Sequence, residues 1–222
     1  MADARTIVEQ ARRETKGIED RLKAHPYLLG LEARRIPKER LRIFAEQQFH
    51  IIESDLRSVA LAAARAGSSR TREFFLGMLQ GERAAAEALG ALARGLGMTP
   101  EGAASAEPLA GSFAYTAYVA WLAIYASEAE FAGAFLINLP DWGANCAAMS
   151  QLLKANYGLA EPDVAFFDLF AAPSEAFEQG ALAVITEGLG RGVDPGRIQR
   201  AARLLQGYEL LYWDTLYQAS TT

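Results

Sequence analysis

This sequence predicts an all-α fold, a bundle of seven or eight helices, and three observations carry the prediction. Ala, Leu and Glu dominate while β-branched residues are sparse, a mix that favours helix over sheet. Apolar residues recur at three- and four-residue spacings along nearly the whole chain. No segment of useful length alternates apolar and polar residues as a half-buried strand would. The 222 residues suffice for one domain, spanning 1–222, with a single core.

The elements follow in order. A first helix covers residues 3–24. HPYLLGLEARRIP reads as a turn and connector, with Pro37 suited to the first position of the next helix, where its missing N–H is not needed. That second helix carries Leu41, Phe44, Ile51, Ile52, Leu56, Val59 and Ala63 on one face and stops near Gly67. A third runs from about Arg70 to Gly95, with Gly97 behind it, and TPEGAASAEPLAGS is a long connection rich in small residues. An apolar helix from Phe113 to Ser127 comes next. Another begins near Glu128 and should break at Pro140, because the ring removes a backbone donor and crowds the preceding turn. Asp141 would then start the helix that ends near Tyr157, where the helix dipole favours a carboxylate. Glu161 to Gly188 is helical with a kink at Pro173. Asp194 and Pro195 read as the cap and first residue of the last helix, which runs to about Gln218.

Function in such a protein sits where polar side chains interrupt an inward-facing stripe. An unpartnered buried polar group costs roughly 1–3 kcal/mol, and a charge costs more. On the second helix the stripe places Gln48 and Asp55 inward, two turns apart, with His50 beside that face. The plain alternatives are an Asp55–arginine pair and a core hydrogen bond for Gln48. On the last helix Ile198, Ala202, Leu205, Tyr212 and Leu216 form a stripe whose missing member is Glu209. Among Tyr208, Tyr212 and Trp213 its carboxyl should be desolvated and its pKa raised, which suits a general acid or base near neutral pH. The alternative there is a buried salt bridge. The third interruption is Asn138-Leu139-Pro140-Asp141-Trp142, where a plain helix cap would also account for Asp141.

Composition narrows the chemistry. The formal net charge is −5, and the basic cluster Arg34, Arg35, Lys38, Arg40 and Arg42 makes no face able to follow a row of phosphates. Direct nucleic-acid binding is therefore not expected. Two histidines and one cysteine make a histidine-rich metal site improbable. The lone Cys146 gives no intrachain disulfide, which suits a reducing cytosol. MADARTIVEQARRETKG has no apolar signal core, and no apolar run reaches membrane-spanning length, so a cytoplasmic protein is expected. No phosphate-binding glycine loop, HExxH or GxSxG is present.

Four segments together resemble the TenA/thiaminase II family and its PqqC relatives, which share the haem-oxygenase-like helical fold. HPYLLGLEARRIPKERLRIFAEQQ is similar to that family's opening, and FAYTAYVAWLA to its Tyr-Thr helix. FLINLPDW resembles the turn that carries its nucleophile, and YELLYWDTLY its terminal helix. The resemblance places Glu209 on the family's catalytic glutamate and Tyr115 on a pocket tyrosine. It places Gln48 on the aspartate that binds the aminopyrimidine ring and Asp141 on the nucleophilic cysteine. Ile51 stands where a second pocket tyrosine would be, and Cys146 lies too far along to inherit the thiolate's role. The resemblance implies a cofactor-independent hydrolase acting on a small heteroaromatic amine of the thiamine-salvage type, in a central helical cavity, within a homodimer or homotetramer. Glu209 and Asp141 would carry the chemistry, and Gln48, Tyr115, Asp55, Tyr212 and Trp142 would hold the ligand. If Asp141 and Glu209 lie close, repulsion should raise one of their pKa values. The alternatives are a non-catalytic binding or regulatory member, or a PqqC-like or iron-dependent oxidase. In the iron-binding branch a late helix supplies the ligands, and Phe170, Ser174 and Phe177 stand at those positions here.

Overall fold

The computed structural model describes residues 3–171 and 174–221. Among the described residues there are ten α-helices and no strand: α1 (Ala4–Lys23), α2 (Pro26–Glu32), α3 (Leu41–Arg65), α4 (Ser69–Gly95), α5 (Pro100–Ala104), α6 (Ala110–Tyr125), α7 (Glu128–Tyr157), α8 (Glu161–Ala171), α9 (Glu175–Gly190) and α10 (Pro195–Thr221). Eight of these have eleven residues or more; α2 and α5 are short, at 7 and 5 residues. The all-α expectation holds.

Local chemistry explains most boundaries. Ser68 accepts a hydrogen bond from the Thr71 N–H and caps α4. Ser127 and Glu130 form a capping box at the start of α7, and Gly158 closes that helix in the left-handed region at φ 69°. Asp194 accepts from the Gly196 N–H at 3.0 Å and opens α10, as its sequence position predicts.

Three expectations are corrected. HPYLLGLE is not a connector: Pro26 starts α2, and the His25 ring nitrogen caps it by accepting from the Tyr27 N–H. Pro37 does not begin α3; it precedes a one-turn 3-10 helix, Lys38–Arg40. Most consequentially, α7 runs unbroken from Glu128 to Tyr157 with Pro140 inside it. The Pro173 kink lies outside the described residues.

α3 packs on α4 and α6, while α10 packs on α7, α6 and α1. α7 also carries α8 and α9. One hydrophobic cluster gathers Phe44, Phe166, Phe167, Tyr212 and Trp213, and a second gathers Val59, Phe75, Phe131 and Phe135. Tyr115 packs against both, and the candidate site lies at their junction. No helix among the described residues is long and apolar enough to cross a membrane.

Candidate functional site

Six helices meet around a cleft with about 460 Å³ of unfilled space, its open mouth included. α3 contributes Gln48, Ile51, Ile52 and Asp55, α4 Glu82 and α6 Tyr115. α7 contributes Phe135, Asn138, Leu139 and Trp142; α8 adds Phe170, and α10 adds Glu209 and Tyr212. The residues recur one or two turns apart on each helix, so the cleft is a consequence of helix periodicity. Among the described residues no Lys, Arg or His lines it.

Glu209 is 2 % exposed. Its Oε1 accepts from the Trp213 indole N–H at 3.1 Å, and its Oε2 accepts a short bond from Asn138 Nδ2. Burial raises its pKa to about 8; the Asp141 charge adds to the rise, and the two donors oppose it. The desolvation expected from sequence is thus the main cause. No cation pairs with it among the described residues.

Asn138 organises this wall. Its side-chain oxygen accepts from the Tyr115 hydroxyl at 3.0 Å, and its nitrogen also donates to Gln206 Oε1 at 3.1 Å. Across the cleft, Gln48 Nε2 donates to the Tyr212 hydroxyl at 2.7 Å. Trp142 stacks on Phe44 and stands edge-on to Phe170 and Tyr212, forming an aromatic side.

Asp141 departs from expectation on two counts. It lies within α7, not at a helix start, so it receives no N-terminal dipole stabilisation. It also does not line the cleft. Its side chain turns from the cleft toward α10 and α1. There it accepts from Gln206 Nε2 at 2.5 Å, and the charges acting on it come from Glu19, Lys23 and Lys16. Burial raises its carboxyl above the usual range. The geometry therefore brings Gln48, Asp55, Tyr115, Trp142, Glu209 and Tyr212 together and leaves Asp141 behind the wall, linked to Glu209 through Gln206 and Asn138.

Glu82 is the acid sequence reasoning missed. It takes the empty place on the α4 stripe Phe75, Met78, Ala85, Leu89, the same signal that marks Glu209 on α10. Burial raises it to about 7. Asp55, 3 % exposed, pairs with no arginine; burial first and then the Glu82 charge push its carboxyl well above the usual range. Asn138 shows no sign of its role in the sequence, because an amide on an apolar stripe carries no charge to mark it. His50 is structural, its ring bonded to the Ala106 carbonyl at 2.8 Å.

The TENA/THI-4/PQQC family profile matches residues 12–219. The chain belongs to that family. Its fold is similar to that of a TenA homologue from Pyrococcus horikoshii, with a TM-score of 0.78 at 18 % identity over 96 % of this chain and 99 % of that one. A TenA homologue from Pseudomonas syringae is similar at TM-score 0.80 and 13 % identity over 95 % and 92 %. A domain of unknown function with a haem-oxygenase-like fold from Shewanella denitrificans is similar at 0.76 and 12 % identity over 95 % and 91 %. No curated protein sequence matches the chain.

Among the described residues no thiol lines the cleft. Cys146 is fully buried in the aromatic core cluster, and burial pushes its thiol well above the ordinary value, so little thiolate forms. Among the described residues no group of three or more His, Cys, Asp or Glu is placed to hold a metal ion.

Proposed function

We propose that this TenA-family protein binds a small heteroaromatic amine of the aminopyrimidine type and hydrolyses it, with Glu209 moving the proton. The observation that supports this is a fully buried carboxyl on the cleft wall whose pKa is raised to about 8 and which no cation neutralises. At pH 7 it is mostly protonated and can act as an acid. Water attacks the carbon bearing the amine, and the C–N bond breaks. The leaving nitrogen takes the Glu209 proton as the water gives one back, so amine and water become alcohol and ammonia. Tyr115, Gln48 and Tyr212 orient the ring, Trp142 and Phe170 cover its faces, and Asp141 acts from behind by raising Glu209. A cytosolic homodimer or homotetramer without a cofactor belongs to the same proposal, on the strength of family resemblance; sedimentation as a monomer would remove the assembly from it.

The assay is ammonia release from an aminomethylpyrimidine by the intact protein. Glu209→Gln should lower the rate on the order of 10²–10⁴-fold. The wild-type rate should fall as pH climbs past about 8, where Glu209 loses its proton. One observation favours a second reading, a binding protein without turnover: among the described residues no thiolate or other strong nucleophile lines the cleft. Tight binding of the same compound with no ammonia released would establish that reading.

A further inference from the structure

We infer that Asp55 and Glu82 form a subsite for a cationic arm of the ligand, an ammonium or amidinium group, separate from the Glu209 position. This deepens the reading above and rests on it. Both residues line the cleft, from facing helices α3 and α4. Asp55 Oδ1 and Glu82 Oε2 are each shielded from solvent and have no hydrogen-bond partner among the described residues. Such a position costs several kcal/mol for an ionised carboxylate unless something brings positive charge or donors to it. Among the described residues nothing lining the cleft does, since it contains no Lys, Arg or His. Two carboxylates are too few for a metal cage, and three or more candidate ligands are not grouped here among the described residues. An ammonium offers three N–H donors and an amidinium a planar pair, each suited to two adjacent acceptors.

The electrostatic couplings separate this pair from the catalytic wall. Asp55 responds to Glu82, whereas Glu209 responds to Asp141. Tyr115 lines the same cleft, feels the charges of Asp55, Glu82 and Glu209, and donates its hydroxyl to Asn138, which in turn holds Glu209. A flat ring held beside Tyr115 would have its reacting amine toward Glu209 and a second, charged substituent toward α4.

The test uses calorimetry on the full-length Glu209→Gln protein, so that the probes are not consumed. Three probes that lack the reacting 5-aminomethyl group are compared: 4-amino-2-methylpyrimidine, 4-amino-2-(aminomethyl)pyrimidine and the neutral 4-amino-2-(hydroxymethyl)pyrimidine. The aminomethyl compound should bind roughly ten- to hundredfold more tightly than the other two, the range expected of charge-assisted hydrogen bonds. Adding Asp55→Asn or Glu82→Gln should remove that preference while leaving the ring-only affinity in place. Circular dichroism confirms that each variant is folded. If the ring-only probe binds and the charged arm adds nothing, or if the preference survives both substitutions, the subsite is overturned and the general reading stands. A pair that merely shares a structural proton would give the first of these results, no gain from the charged arm. If none of the probes binds, the subsite and the general reading fall together.

Discussion

Glu209 shows how a single residue's surroundings fix its chemistry. Burial favours its neutral form, and the bonds from Asn138 and Trp213 favour the charged one; burial wins. Replacing Asn138 with leucine removes one opposing donor while keeping similar volume. The Glu209 midpoint, followed by carbon NMR of labelled glutamate, should move above the wild-type value of about 8; an unchanged midpoint would show that Asn138 does not set it. Glu209 was legible because it is the one charge on the otherwise apolar stripe Ile198, Ala202, Leu205, Tyr212 and Leu216. Glu82 sits in QGERAAAE, where exposed charges on the same helix conceal the one that turns inward. Asn138 was illegible for the opposite reason, since its value lies in three partners from α6 and α10 that no local pattern displays.

At the scale of the element, amphipathic helices were readable and α7 was not. Its apolar residues face all directions, so periodicity gave no face, and Pro140 supplied a false stop. An internal proline costs about 3 kcal/mol. Burying Phe131, Phe135, Leu136, Ile137 and Met149, at roughly 1.5–3 kcal/mol each, outweighs that cost in a helix packed on several sides. Tertiary packing thus overrides the local rule. The unbroken helix turns Trp142 and Asn138 to the cleft and leaves Asp141 out of its lining, where a broken helix would have faced Asp141 to the ligand. Gly143, next along, allows α8 to approach: a Cβ there would lie 2.4 Å from the Phe170 carbonyl oxygen. That contact is with backbone, so it cannot be relieved by a rotamer change. Gly143→Ala should destabilise the protein by about 1–3 kcal/mol and weaken ligand binding as Phe170 and Trp142 separate. A thermal melt and a titration would check this, and an unchanged melt would show that α8 can move freely.

For the molecule as a whole, a net charge of −5 hides an unusual distribution, because Asp55, Glu82, Asp141 and Glu209 are acids pushed upward inside the bundle. Composition cannot reveal this; only the meeting of α3, α4, α7 and α10 does. The consequence is a definite sign for stability. A carboxyl with a raised folded pKa binds more protons in the native state than in the unfolded chain, where its value is near 4.5. Stability then falls as pH rises, until the pH passes the folded value. For Glu82 the fall ends near 7 and for Glu209 near 8, at about 1.4 kcal/mol per pH unit for each group still protonated only in the native state. His25 works the other way, with its pKa lowered by burial, but only below its ordinary 6.5. Between pH 7 and 9 the acids therefore act without opposition from it. The melting temperature of the wild type should drop by several degrees across that interval, since 1 kcal/mol corresponds to about 2–4 °C in a chain of this size. Glu209→Gln removes the largest source of that slope, so its melting temperature should vary less from pH 7 to 9 and exceed the wild type at pH 9. A wild-type melting temperature that holds steady or climbs over the interval would mean that the interior acids are solvated or paired, and the electrostatic description of the cleft would have to be abandoned.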